Sequence, residues 1–70
     1  MWISTEDRLP EKGENCWYFY DKVGTWRGHF EGCYNGNKDM HIFVAAEGYF
    51  LTGDVTHWHP DQEEKPDEPV

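Results

Sequence analysis

The apolar and polar positions of this chain change rhythm along its length, and each change marks an element. The opening "WISTEDRLPEKGEN" starts with an apolar pair, Trp2 and Ile3, followed by Ser4 and, three residues on, Asp7. This spacing predicts a capped helical turn, in which Ser4 accepts a backbone N–H near Asp7 and the acids face the positive end of the turn. The turn has to be short, because Pro10 disfavours helical geometry at Leu9, and Gly13 with Asn15 marks a loop soon after. Leu9 and Trp2 are then expected to plug one end of the core.

From Asn15 the period becomes two. "CWYFYD" is aromatic on both alternating faces, as in a strand covered on both sides or an inner strand of a strongly curled sheet. "DKVG" reads as a tight connection. In "TWRGHFEGCY", Trp26, Phe30 and Tyr34 share one face with Gly28 and Gly32 between them, while Arg27, His29 and Glu31 take the other. The glycines leave room for side chains across the sheet or mark bulges that bend it. "YNGNKD" is the strongest turn signal, since Asn-Gly readily adopts positive φ angles. "MHIFVAA" and "YFL" follow as strands on either side of a break at Glu47-Gly48, and the turn Thr52-Gly53-Asp54 leads into "VTHWH".

The sum is a mainly β fold, a small antiparallel meander of four to five curled strands with one short N-terminal helical turn. Residues 1–60 form a single small β-domain. Residues 61–70, "DQEEKPDEPV", are too polar to pack and read as an acidic, disordered tail.

Composition sharpens this picture. A chain of 70 residues buries only about 60% of its unfolded surface, so its core must be dense. Four Trp, four Tyr and four Phe supply that density, each ring removing roughly 150–250 Å² from water. Little is left for a large internal cavity, which disfavours active sites that need a deep pocket. Six Lys and Arg stand against fourteen Asp and Glu, for a net charge of −8. The basic residues Arg8, Lys12, Lys22, Arg27 and Lys38 are scattered among acids rather than clustered, which argues against direct nucleic-acid binding. An acidic face suits a basic protein partner instead, including a groove that ordinarily holds nucleic acid. Neither a membrane-length apolar run nor a signal-like N-terminus is present, so a soluble, cytoplasmic protein is expected. In a reducing compartment Cys16 and Cys33 are most simply free thiols, although adjacent strands would permit a bridge.

The opening and closing motifs together resemble a family of short proteins found mostly in phages and prophages, the domain of unknown function 551. Trp2, Ile3, Ser4, Asp7, Arg8, Leu9, Pro10 and Gly13 match its first motif, and Val55, Thr56, His57, Trp58 and Pro60 its last. The middle of the chain matches by strand rhythm alone. His59 stands where the family usually has an apolar residue, and Asp61-Gln62 replaces a usual Leu-Pro. The resemblance implies a small phage-associated domain and brings no activity, cofactor or catalytic residue. Trp2, Asp7, Arg8, Leu9, Pro10, His57 and Trp58 are read as a structural motif.

Three chemistries compete for the remaining residues. His57 and His59, at i and i+2, point to one face of a strand and could begin a zinc site, with Cys16, Cys33, His29, His41 or carboxylates completing it. No recognised zinc spacing accompanies them, so the structural reading is preferred: His57 ties the last strand to Asp7 or to a carbonyl near Leu9, Trp58 fills the core, and His59 is exposed. A Cys with a His could make a small enzyme, but neither Cys has a glycine loop before a helix. The aromatic excess could leave Trp17, Tyr18, Tyr20, Tyr34 and Tyr49 as an exposed patch for a partner, with Asp61, Glu63 and Glu64 recruited by a basic surface. The favoured expectation is a non-enzymatic phage or prophage accessory protein that needs no cofactor. It would bind a host protein through this acidic, aromatic surface and inhibit a nucleic-acid-handling or defence complex.

Overall fold

The computed structural model describes residues 1–48 and 50–69. Among these, six strands form one antiparallel sheet: β1 (Ile3–Ser4), β2 (Asn15–Tyr20), β3 (Gly24–Cys33), β4 (His41–Ala45), β5 (Phe50–Thr52) and β6 (His57–Pro60). The mainly β, antiparallel reading of the sequence holds. The N-terminal turn is a single turn closed by the N–H groups of Asp7 and Arg8 on the Ser4 carbonyl, at 3.0 and 3.1 Å. The Ser4 hydroxyl accepts from Glu6, one residue earlier than the expected cap.

The strand order is β1-β6-β2-β3-β4-β5. Strands β2 to β5 are the expected meander, but the closing strand leaves it and returns beside β2, with β1 outside it. That return bends the sheet. In a flat sheet β5 and β6 would lie four strand spacings apart, about 19 Å. The five residue steps from Thr52 to His57 reach at most about 18 Å when fully extended. They are not free to extend, because Gly53 donates to the His41 carbonyl at 2.8 Å and Thr56 to the Phe19 carbonyl at 3.0 Å. Buried His41 adds a second clasp, its ring lying 3.0 Å from the carbonyls of both Lys38 and Val55.

The concave face of the bent sheet holds the core: Cys16, Tyr18, Phe30, Phe43, Ala45, Val55 and Trp58, with Ile3, Leu9, Trp26, Cys33 and Leu51 packed against it. Two glycines make the bend possible. A Cβ at Gly28 would lie 1.8 Å from the Val44 carbonyl oxygen, so β3 and β4 can approach only if residue 28 has none. Gly32, at φ +113, carries the bulge where the β3–β4 register slips between Phe30 and Gly32. The bulge adds one residue and reverses the alternation after it. Cys33 therefore faces the core, and Tyr34, expected on the face of Phe30, is 59% exposed.

The connection from β3 to β4 is longer than the expected short hairpin. It comprises 3-10 turns at Tyr34–Gly36 and Lys38–Met40, with Asn35 and Gly36 at the positive φ angles that Asn-Gly favours.

Candidate functional site

The two ends of the chain meet on the sheet. Ile3 pairs with Trp58 and Ser4 with His57 across β1 and β6. Trp58, 1% exposed, donates its indole N–H to the Arg8 carbonyl at 2.8 Å, and the Arg8 guanidinium lies 5.2 Å from the ring centroid. Leu9 packs on the core and Pro10 is buried beside it in sequence. The opening and closing motifs are thus one spatial unit. The tie expected of His57 is made by Trp58. His57 instead has its ring nitrogen 2.9 Å from the Thr56 hydroxyl and packs T-shaped with Phe19, ring centroids 6.4 Å apart.

The convex face is not bare. Trp17 pairs with His59 on one side and Arg27 on the other, and Phe19 pairs with His57 and Thr25. Directly paired residues share a face, so these side chains form a second aromatic layer opposite the core. Trp2 joins this layer rather than plugging the core, with its ring centroid 6.2 Å from Phe19 and 5.4 Å from His59. Arg27 stacks over Trp17 at 5.2 Å and pairs with Asp61 at 2.9 Å.

The acidic segment covers this layer. The Trp17 indole donates to the Gln62 carbonyl at 3.0 Å and the Trp2 indole to the Asp67 carbonyl at 2.5 Å. Pro66 is buried and Pro69 half-buried, while Glu63, Glu64, Lys65, Asp67 and Glu68 are exposed. Where residues 61–70 read as a solvated, disordered tail, the described part is anchored. The reason is that its contacts use backbone carbonyls and prolines, which polarity of the side chains does not reveal. The carboxylates are left facing outward as a strip.

The expected patch of exposed rings does not assemble. Trp17 is 8% and Tyr18 1% exposed, because the central strand β2 is covered on both faces. Tyr20 is half-buried, Tyr34 is exposed on the other side of the bulge, and Tyr49 lies outside the described residues. Asp61, Glu63 and Glu64 are exposed as expected. All of the acids except half-buried Glu14 are exposed. Among the described residues only Asp61 and Glu31 meet a cationic or imidazole partner within ion-pair distance.

The histidines serve separate ends. His59, expected to be exposed, is 8% exposed. Its Nδ1 faces the Pro60 carbonyl at 2.8 Å, which assigns the proton there, so Nε2 accepts from the Met1 ammonium at 2.7 Å. Among the described residues no group of three His, Cys, Asp or Glu is placed to hold a metal ion. Cys16 and Cys33 are both free thiols. Cys16 is fully buried, and burial first, then Glu14 and Asp61, pushes its pKa up to about 12. A thiol held protonated in this way is a poor nucleophile at neutral pH. An open surface cleft of about 600 Å³ has a lining that includes Glu6, Lys38, Asp39, Thr56 and His57. No helix among the described residues is long and apolar enough to cross a membrane.

A family model described as protein of unknown function (DUF551) matches residues 1–62. No curated protein and no solved structure matches the chain.

Proposed function

We propose, from the premise that the chain belongs to the family of proteins of unknown function DUF551, that it is a non-catalytic binding protein whose acidic strip, Asp61 to Glu68, docks on a basic protein surface. The observation that carries this reading is the way the strip is held. Trp2 and Trp17 take its backbone carbonyls, and among the described residues Glu63, Glu64, Asp67 and Glu68 are spent on no internal ion pair and remain exposed. A pre-ordered array of like charges loses less conformational entropy on binding than a free tail would. It also steers a basic partner toward one face, an effect that salt screens. The partner class that fits is a Lys- and Arg-lined groove of a nucleic-acid-handling or defence complex in the host cytoplasm. The protein would act there as a phage or prophage accessory inhibitor.

The test uses full-length protein as bait in host lysate, beside a variant carrying Glu63→Gln, Glu64→Gln, Asp67→Asn and Glu68→Gln. These changes leave both indole-to-carbonyl contacts in place. The expected result is a captured protein with a basic groove, lost with the variant and lost at high salt. Identical capture by both baits would refute the reading.

A further inference from the structure

The convex aromatic layer offers two indole donors to an extended chain, and the molecule's own C-terminal segment takes both. Two indole N–H groups, of Trp17 and Trp2, donate to backbone carbonyls five residues apart, at Gln62 and Asp67. Backbone carbonyls are what an extended proline helix leaves unsatisfied, because it makes no internal hydrogen bonds. Pro66 is buried while both its neighbours, Lys65 and Asp67, are exposed, and Pro69 is half-buried three residues on. In an extended proline helix, which has three residues per turn, two prolines at this spacing share one side, the spacing read by aromatic grooves that bind Pro-x-x-Pro chains. Arg27, stacked on Trp17, supplies a charge-assisted contact at the start of the segment through Asp61. The segment adds no strand to the sheet.

One polar group of the layer is left unused. Thr25 pairs with Phe19 on this face, and its hydroxyl is the one buried side-chain polar atom without a partner among the described residues. The cis segment therefore does not exhaust what the groove offers. We propose that the Trp2–Trp17–Phe19 face is a binding site for an acidic Pro-x-x-Pro segment of another protein chain. In the isolated molecule Gln62 to Pro69 fills that site as a self-ligand that the other chain displaces. This proposal is independent of the acidic strip's docking, since it needs the segment to leave the face rather than to stay on it.

A fluorescent peptide with the sequence DQEEKPDEPV tests it against full-length protein and against full-length Pro66→Ala/Pro69→Ala, in which the self-ligand is weakened. The fraction of open face sets the apparent affinity, so the peptide should bind the double variant about tenfold or more tighter than the unaltered chain. The Trp2 and Trp17 indole N–H resonances should return to their unaltered positions as it binds. Adding Trp2→Phe to the double variant removes one donor and should weaken the peptide again about tenfold. Circular dichroism of each variant shows whether the sheet is intact. If the folded double variant ignores the peptide, or if Trp2→Phe leaves its affinity unchanged, the face is not a proline receptor. If the double variant instead dimerises and excludes the peptide, the occupant is a second copy and the proposal is overturned.

Discussion

Trp58→Phe probes the joint on which the fold depends. The change keeps an aromatic ring in the core but deletes the indole N–H that reaches the Arg8 carbonyl at 2.8 Å, together with part of a side chain only 1% exposed. The lost volume leaves a cavity and forfeits transfer energy, together about 1–2 kcal/mol. The carbonyl of Arg8 lies in an exposed residue and can turn to water, so the broken hydrogen bond costs about 1 kcal/mol, the low end for such bonds. Weaker stacking of the Arg8 guanidinium, 5.2 Å from the ring centroid, costs about 0.5 kcal/mol more at an exposed site. The total is roughly 2.5–3.5 kcal/mol, against about 4–10 kcal/mol of stability for a chain of this length. Urea titration followed by circular dichroism should show a lower midpoint with an unchanged slope, and Tm should fall by roughly 10–25 °C. A loss below about 0.5 kcal/mol would mean that the two ends of the chain are not clasped through Trp58, and the reasoning would fail.

Alkali should unfold the protein in a defined window. Burial raises the Cys16 thiol from 9.0 to about 12 and the Tyr18 phenol from 10.0 to about 12. Both groups are neutral when protonated, so the unfolded chain releases their protons first as pH rises. The stability they contribute is whole below about pH 9 and lost progressively toward about pH 12. Urea midpoints across that range should fall, and Cys16→Ala should flatten the early part of the fall; a level profile in the unaltered chain contradicts the burial of both groups. Gly28→Ala drives a Cβ onto the Val44 carbonyl oxygen and should cost more than about 3 kcal/mol. Near-native stability in that variant would show that β3 and β4 do not approach as described. Because His57 and His59 make separate contacts, a chelator should leave Tm unchanged, and a chelator-dependent drop would restore a metal site.

Much of the fold is legible in local pattern, because period two and turn chemistry act over a few residues. The aromatic run of β2 reads as a strand covered on both sides, and that is its situation: Cys16 and Tyr18 face the core, Trp17 and Phe19 the second layer. Gly32 reads as a bulge or a gap, and it is the bulge. What local pattern does not carry is the return of β6 to the side of β2, a long-range pairing that depends on how far the sheet bends. The reversal at the bulge put Tyr34 on the wrong face for the same kind of reason. The candidate site was the least legible part. Its two anchors are Trp2, assigned to the core by hydropathy, and a segment whose single buried side chain among the described residues is Pro66, hidden among charges. Indole donors and prolines in the right number were visible in the sequence, but the meeting of Trp2 with Asp67, 65 residues further along the chain, was not.

The central claim is that the acidic segment is held against the tryptophan layer. Backbone amide relaxation of full-length protein tests it most directly, comparing Gln62 to Asp67 with the strands. Order parameters near the rigid value of about 0.85 through this segment are the expected result, and values below about 0.6 from Gln62 onward would contradict the account.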